Sequence, residues 1–150
     1  MASFKGQAEY SVDSKGRVAI PARMRNALNP DANNSFTITR GFEQCILLFP
    51  LDEWAKREAE IARLNTYRSE ARSFVRTIMR WADEVTLDGQ GRIVVPKNLI
   101  SFAGLKDAVL IIGVLDRIEI WNPDVFAAQA EQEADYSEVA ERIFDMGRDL

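Results

Sequence analysis

The chain has no histidine and one cysteine among its 150 residues. It therefore lacks the side chain that most often serves as general base or metal ligand near neutral pH. A single cysteine cannot close an intrachain disulfide, and without histidine nothing stands beside it to build a zinc site. No metal and no cofactor are expected. No apolar run approaches the ~20 residues that cross a bilayer, and no secretory signal opens the sequence. Cys45 sits in the apolar stretch Cys45-Ile46-Leu47-Leu48, which reads as a buried thiol in a reducing compartment. The glycine-rich stretch Leu87-Asp88-Gly89-Gln90-Gly91-Arg92 lacks the ending of a phosphate loop and feeds a strand, not a helix. Together these absences argue against an enzyme and for a cytoplasmic protein.

Positive charge is scarce overall, with a formal net charge of −4, but it is unevenly placed. Residues 1–30 carry Lys5, Lys15, Arg17, Arg23 and Arg25 against Glu9 and Asp13, a balance of +3. Residues 131–150 carry seven carboxylates, from Glu131 to Asp149, against Arg142 and Arg148, a balance of −5. A local basic face can hide inside an acidic total and point to an anionic partner. The plainer reading is that both ends are merely solvated.

What the chain does have is a repeat. Asp13-Ser14-Lys15-Gly16-Arg17-Val18-Ala19-Ile20-Pro21 returns as Asp88-Gly89-Gln90-Gly91-Arg92-Ile93-Val94-Val95-Pro96, displaced by 75 residues. Internal repetition decides the fold before other signals are weighed. Further along, a displacement of 72 matches Ile38 to Leu110, Gly41 to Gly113, Ile46–Phe49 to Ile118–Trp121, and Trp54 to Phe126. The units span about 7–54 and 83–126, with a linking segment over 55–82 and a C-terminal segment over 127–150. Each is near the size at which an isolated core is marginal, so the two are expected to share one.

Asp at the first turn position and Gly at the fourth suit a type I turn, with Gly16 and Gly91 taking left-handed backbone in a bulged hairpin. Alternating residues 8–12 and 17–20 predict strands on either side. Pro21 ends the second strand and opens a helix over 21–28. Pro96 does the same over 96–102, with Gly104 as the C-terminal cap. Strand pairs follow at 36–39 and 45–49, and at 109–112 and 117–121. Two apolar stripes have helical spacing: Tyr67, Ala71, Phe74, Val75, Ile78, Met79 and Ala82, and then Tyr136, Val139, Ala140, Ile143 and Phe144. Intrachain packing and contact with a neighbouring subunit are equally open for both.

Phe4-Lys5-Gly6, the first loop with Ile20-Pro21, and its degenerate second copy resemble the MraZ family of bacterial transcriptional regulators, which are built from two SpoVT-AbrB-type domains. The resemblance covers nearly the whole chain. It implies an α+β, β-rich fold: two tandem swapped-hairpin (double-split β-barrel) repeats forming an intrachain pseudo-dimer, with linking and C-terminal helices. It also implies a nucleoid-associated DNA-binding regulator, with repression the expected sense. Such a protein would form rings and bind short direct repeats in the promoter of its own division and cell-wall gene cluster. The partners are then double-stranded DNA and the chain itself, with no membrane and no small-molecule ligand.

On that footing Arg17 is expected to address guanine or phosphate with its planar fork of donors, and Lys15 to address phosphate. Asp13 and Gly16, with Asp88 and Gly91 in the second copy, shape the loops. The copies are unequal: Lys15, Arg23 and Arg25 become Gln90, Asn98 and Ile100, and only Lys97, facing Ala22, goes the other way. The first copy is therefore expected to form the main DNA face, with Arg92 in support. The alternatives are an AbrB-type antitoxin and a ring-forming assembly protein with no DNA role.

Overall fold

The structure is a computed structural model that describes residues 2–148; the end of the C-terminal segment, with Asp149, lies outside the described residues. The first unit contains β1 (Gln7–Ser11), β2 (Arg17–Ala19), α1 (Ala22–Arg25), β3 (Ser35–Arg40) and β4 (Ile46–Pro50). Helices α2 (Leu51–Ala62) and α3 (Ser69–Trp81) lead to the second unit. That unit contains β5 (Asp83–Thr86), β6 (Arg92–Val94), α4 (Lys97–Ala103), β7 (Ala108–Val114) and β8 (Arg117–Trp121), followed by α5 (Pro123–Gln132) and α6 (Tyr136–Arg148).

The strands exchange between units. A six-stranded antiparallel sheet runs in the order β1-β7-β8-β4-β3-β5, and a two-stranded ribbon joins β2 to β6. β1 of the first unit pairs with β7 of the second, and β5 of the second pairs with β3 of the first. Exchanging the units leaves the strand order unchanged. Two registers mark the approximate twofold axis: Val18 lies opposite Ile93 in the ribbon, and Leu47 opposite Glu119 in the sheet. Each residue faces its own counterpart. This is the intrachain pseudo-dimer that the family resemblance implied.

Val18, Ile20, Ile93 and Val95 of the ribbon strands and their extensions meet Phe36, Ile38, Ile46, Leu48, Val109, Ile111, Ile118 and Ile120 of the sheet in one core. Met24 and Leu99 close it from α1 and α4. Outside the barrel the units also match. The Phe49 and Trp54 rings lie 5.5 Å apart, and those of their counterparts Trp121 and Phe126 5.2 Å apart.

Three expectations need correction. Pairing of Thr39 with Leu47 and of Ile112 with Glu119 makes Thr39 the counterpart of Ile112. Ile38 therefore corresponds to the equally buried Ile111, not to half-buried Leu110, and Gly41 does not correspond to Gly113. Helix α1 is only four residues long. Beyond it the amides of Ala27 and Leu28 donate to the carbonyls of Met24 and Arg25, so the segment to Leu28 tightens into i→i+3 turns instead of continuing the helix. The linking segment forms two helices, and Tyr67 stands 95% exposed in the turn between them, where its amide donates to Asn65 Oδ1. The cap at Gly104 is as expected, with φ 66°.

Candidate nucleic-acid interface

The two loops are built alike. In the first, the Gly16 amide donates to the Asp13 carbonyl at 3.0 Å and the Asp13 amide to the Arg17 carbonyl at 3.1 Å. Asp13 Oδ1 accepts from the amides of Lys15 (2.9 Å) and Arg17 (2.8 Å), and Oδ2 accepts from Arg17 Nε at 2.6 Å. In the second, Asp88 Oδ1 accepts from the amides of Gln90 (2.9 Å) and Arg92 (3.0 Å), and Oδ2 from Arg92 Nε at 2.9 Å. Gly16 and Gly91 take φ of 79° and 74°, which glycine tolerates without steric cost. The amides of Arg17 and Arg92, ahead of other causes, hold the carboxyls of Asp13 and Asp88 below the usual aspartate value. Both carboxylates stay ionised at neutral pH and fix their arginines.

The remaining nitrogens of Arg17 and Arg92 make no hydrogen bond among the described residues. Each arginine is thus gripped through Nε, and its side chain stays partly exposed, 32% for Arg17 and 28% for Arg92. Both sit on one face of the ribbon. Val18 and Ile93 point into the core, so Arg17, Ala19, Arg92 and Val94 alternate onto the opposite face, where Val94 is 56% exposed. Across the ladder Arg17 faces Val94 and Arg92 faces Ala19. The two arginines are therefore diagonal neighbours, roughly 7–8 Å apart at the backbone.

Strand exchange also moves the surrounding cations. Arg25 lies against the second loop: a Cβ on Gly91 would come within 2.6 Å of its guanidinium carbon, and its Nε donates to the Ile20 carbonyl at 2.9 Å. Arg23 reaches the Gln7 carbonyl at 2.7 Å and packs on Gly6. Neither touches the first loop in these contacts. That loop instead borders a pocket of about 230 Å³ lined by Lys15 with Lys97 and Lys106 of the second unit. Composition could reveal Lys97 and Lys106 as cations but not where they end up. Their counterparts are Ala22 and Asn33, the latter set by the matching bonds from Val12 to Asp107 and from Leu87 to Asn34. Lys15 corresponds to Gln90, so the matching place beside the second loop has none of these lysines.

Two copies of one loop, exchanged strands and a shared core set the chain beside its relatives. The sequence model for MraZ protein, whose description adds antitoxin-like, matches residues 3–77 and again residues 78–147. The chain belongs to the MraZ family. It is 41% identical over 143 residues to the transcriptional regulator MraZ of Natranaerobius thermophilus, covering 95% of this chain and 97% of that one. It is 38% identical over 144 residues to the transcriptional regulator MraZ of Clostridium beijerinckii, covering 96% and 99%. The MraZ relative from Syntrophomonas wolfei, also a transcriptional regulator by name, is 40% identical over 145 residues, covering 96% and 99%. The relatives are named as regulators, not as enzymes. Among the described residues no helix is long and apolar enough to cross a membrane.

Proposed function

We propose that this transcriptional regulator binds DNA with the outer face of the β2–β6 ribbon. The observation that carries this reading is the pair Arg17 and Arg92, each held through Nε by an ionised aspartate, with free nitrogens on one exposed face. A B-DNA major groove admits a two-stranded antiparallel ribbon, and an arginine fork pairs with guanine O6 and N7. The loops lie at opposite ends of the ribbon, since Val95 donates to the Gly16 carbonyl and Ile20 to the Gly91 carbonyl. Four residues separate them along the strand, about 13 Å, close to the ~12 Å width of the groove. The loops would then meet phosphates on both sides. Lys15, Lys97 and Lys106 make the first end the stronger, and Arg25 with Arg92 serves the second.

The preferred target is a set of short direct repeats upstream of the chain's own division and cell-wall gene cluster, where binding represses transcription. One ribbon offers few phosphate contacts. A ring of subunits would offer many, and linked sites can exceed single-site affinity by about 10²–10⁴. This reconciles an acidic chain with a DNA target and a nucleoid location in the cytoplasm. The antitoxin alternative is disfavoured by α6, since helix occupies the place of a disordered toxin-binding tail.

The test is a titration of the purified chain against DNA from upstream of its own gene and a shuffled duplex of equal composition, at several salt concentrations. The proposal expects preference for the upstream duplex and affinity that falls as salt rises. Equal, weak binding to both would favour an assembly protein without a DNA role.

A further inference from the structure

The outer face of the β2–β6 ribbon is not symmetric. Arg17 and Arg92 are counterparts on it, but Ala19 of the first unit corresponds to Val94 of the second. Val94 is exposed, whereas Val18 and Ile93 take the core face. Ala19 is half-buried and carries a single methyl close to the backbone. Val94 holds two methyls farther out. A lone apolar residue in water is ordinary on a protein surface. This one stands on the face that presents both arginines.

Val94 lies directly across the ladder from Arg17. The Val95 amide donates to the Gly16 carbonyl at 2.8 Å, so the ladder bond flanks the Arg17–Val94 pair instead of joining it. Such a pair brings its Cα atoms to about 4.5 Å and its side chains closer than a hydrogen-bonded pair does. Successive bases on a strand are about 3.4 Å apart. A side chain beside Arg17 therefore meets the base pair that the arginine addresses or the next one.

In the major groove the apolar feature is the C5-methyl of thymine, which is read by apolar contact. Val94 has no side-chain donor or acceptor. Set against an amino or keto group it would leave that group unpaired, which is costly once water is excluded. Set against a methyl it buries apolar surface on both sides. The pocket of Lys15, Lys97 and Lys106 borders the loop at this same end of the ribbon. At the other end Arg92 faces the smaller Ala19.

We propose that Val94 is a specificity-determining residue that contacts the C5-methyl of a thymine beside the guanine addressed by Arg17. The inference rests on the ribbon face of the proposed function and names a second base that this face selects.

The experiment titrates the full-length chain against the upstream duplex and against versions with one thymine at a time replaced by deoxyuridine. That replacement removes the C5-methyl and keeps the base pair. Parallel duplexes replace one guanine at a time by 7-deazaguanine, which removes the N7 acceptor. The parent is expected to lose about fourfold in affinity at one thymine, the effect of one buried methyl group. That thymine should adjoin a guanine whose 7-deaza replacement also weakens binding. Val94→Ala, with folding confirmed by circular dichroism, is expected to bind the unmodified duplex about fourfold more weakly than the parent. It should lose nothing further at that thymine, while its response to 7-deazaguanine persists. A thymine effect equally large in Val94→Ala, or no thymine effect where the guanine effect stands, overturns the inference and leaves the ribbon face in place. No effect of either replacement overturns both, as does a parent that binds upstream and shuffled duplexes alike. If Val94→Ala does not fold, Val94→Ser takes its place and is read in the same way.

Discussion

Val18 and Ile93 face each other across the ribbon, and each is the other's counterpart in the repeat. Both are fully buried. The approximate twofold axis passes between them and again between Leu47 and Glu119. The face of the ribbon that joins the units in the core is thus backed by the face that presents Arg17 and Arg92. Folding of the two units and display of the two arginines depend on the same six residues.

The two units should therefore unfold together. Ile93→Ala removes a buried side chain shared by both and should cost about 2–5 kcal/mol, with one transition seen both by far-ultraviolet circular dichroism and by tryptophan fluorescence in urea. Trp54 and Trp121 report on different units, so two separate midpoints would contradict a common core.

Gly91→Ala should be more damaging than an ordinary loop change. It places a Cβ at φ 74° and within 2.6 Å of the Arg25 guanidinium carbon. Left-handed backbone costs a non-glycine residue about 1–2 kcal/mol, and Arg25 must also move. Thermal melts of Gly91→Ala and Gly91→Ala/Arg25→Ala should show partial recovery in the double variant. No recovery would mean that backbone strain alone accounts for the loss.

Acid should loosen the loops only at low pH. The Arg17 and Arg92 amides hold the Asp13 and Asp88 carboxyls below the ordinary aspartate value, so their contribution is full above the unfolded value. It is lost as pH falls through the depressed folded value. The Arg17 and Arg92 amide resonances should hold steady from neutrality down to about pH 4 and shift only below it. In Asp13→Asn the Arg17 shift should vanish while that of Arg92 remains. A wild-type midpoint above about pH 4 would contradict this loop geometry.

Lys97→Gln and Lys106→Gln should weaken binding to the upstream and shuffled duplexes alike. Removing one phosphate-binding cation lowers the slope of log affinity against log salt by about 1. Asn98, the counterpart of Arg23, is the control: Asn98→Gln should leave the slope unchanged. If only upstream binding suffers in the lysine variants, these residues read bases instead of phosphates.

Much of this was readable in the residues. The Asp–Gly–Arg spacing fixes the turn chemistry, and period-two alternation places Val18 and Ile93 inward. Alternation assigns a strand's faces but not its partner, so the family resemblance implied exchange in general while the pairing of β1 with β7 and β3 with β5 is seen only in the structure. The matching glycines at 41 and 113 suggest a displacement of 72, whereas the register is set by Leu47 opposite Glu119 and shifts β3 by one residue. Proximity in sequence likewise assigns Arg25 to the first loop. Strand exchange carries it to the second and brings Lys97 and Lys106 to the first. The cations of such an exchanged fold can be counted from sequence, but their grouping depends on topology.

The most direct measurement is the affinity of Arg17→Gln/Arg92→Gln for the upstream duplex, with melting temperature and oligomeric state checked in parallel. Two arginine–base contacts at about 1–3 kcal/mol each predict a loss of at least about 30-fold, with the Arg17 single variant losing more than the Arg92 single variant. A correctly folded double variant that binds within about twofold of the parent would contradict the ribbon face as the DNA-binding surface.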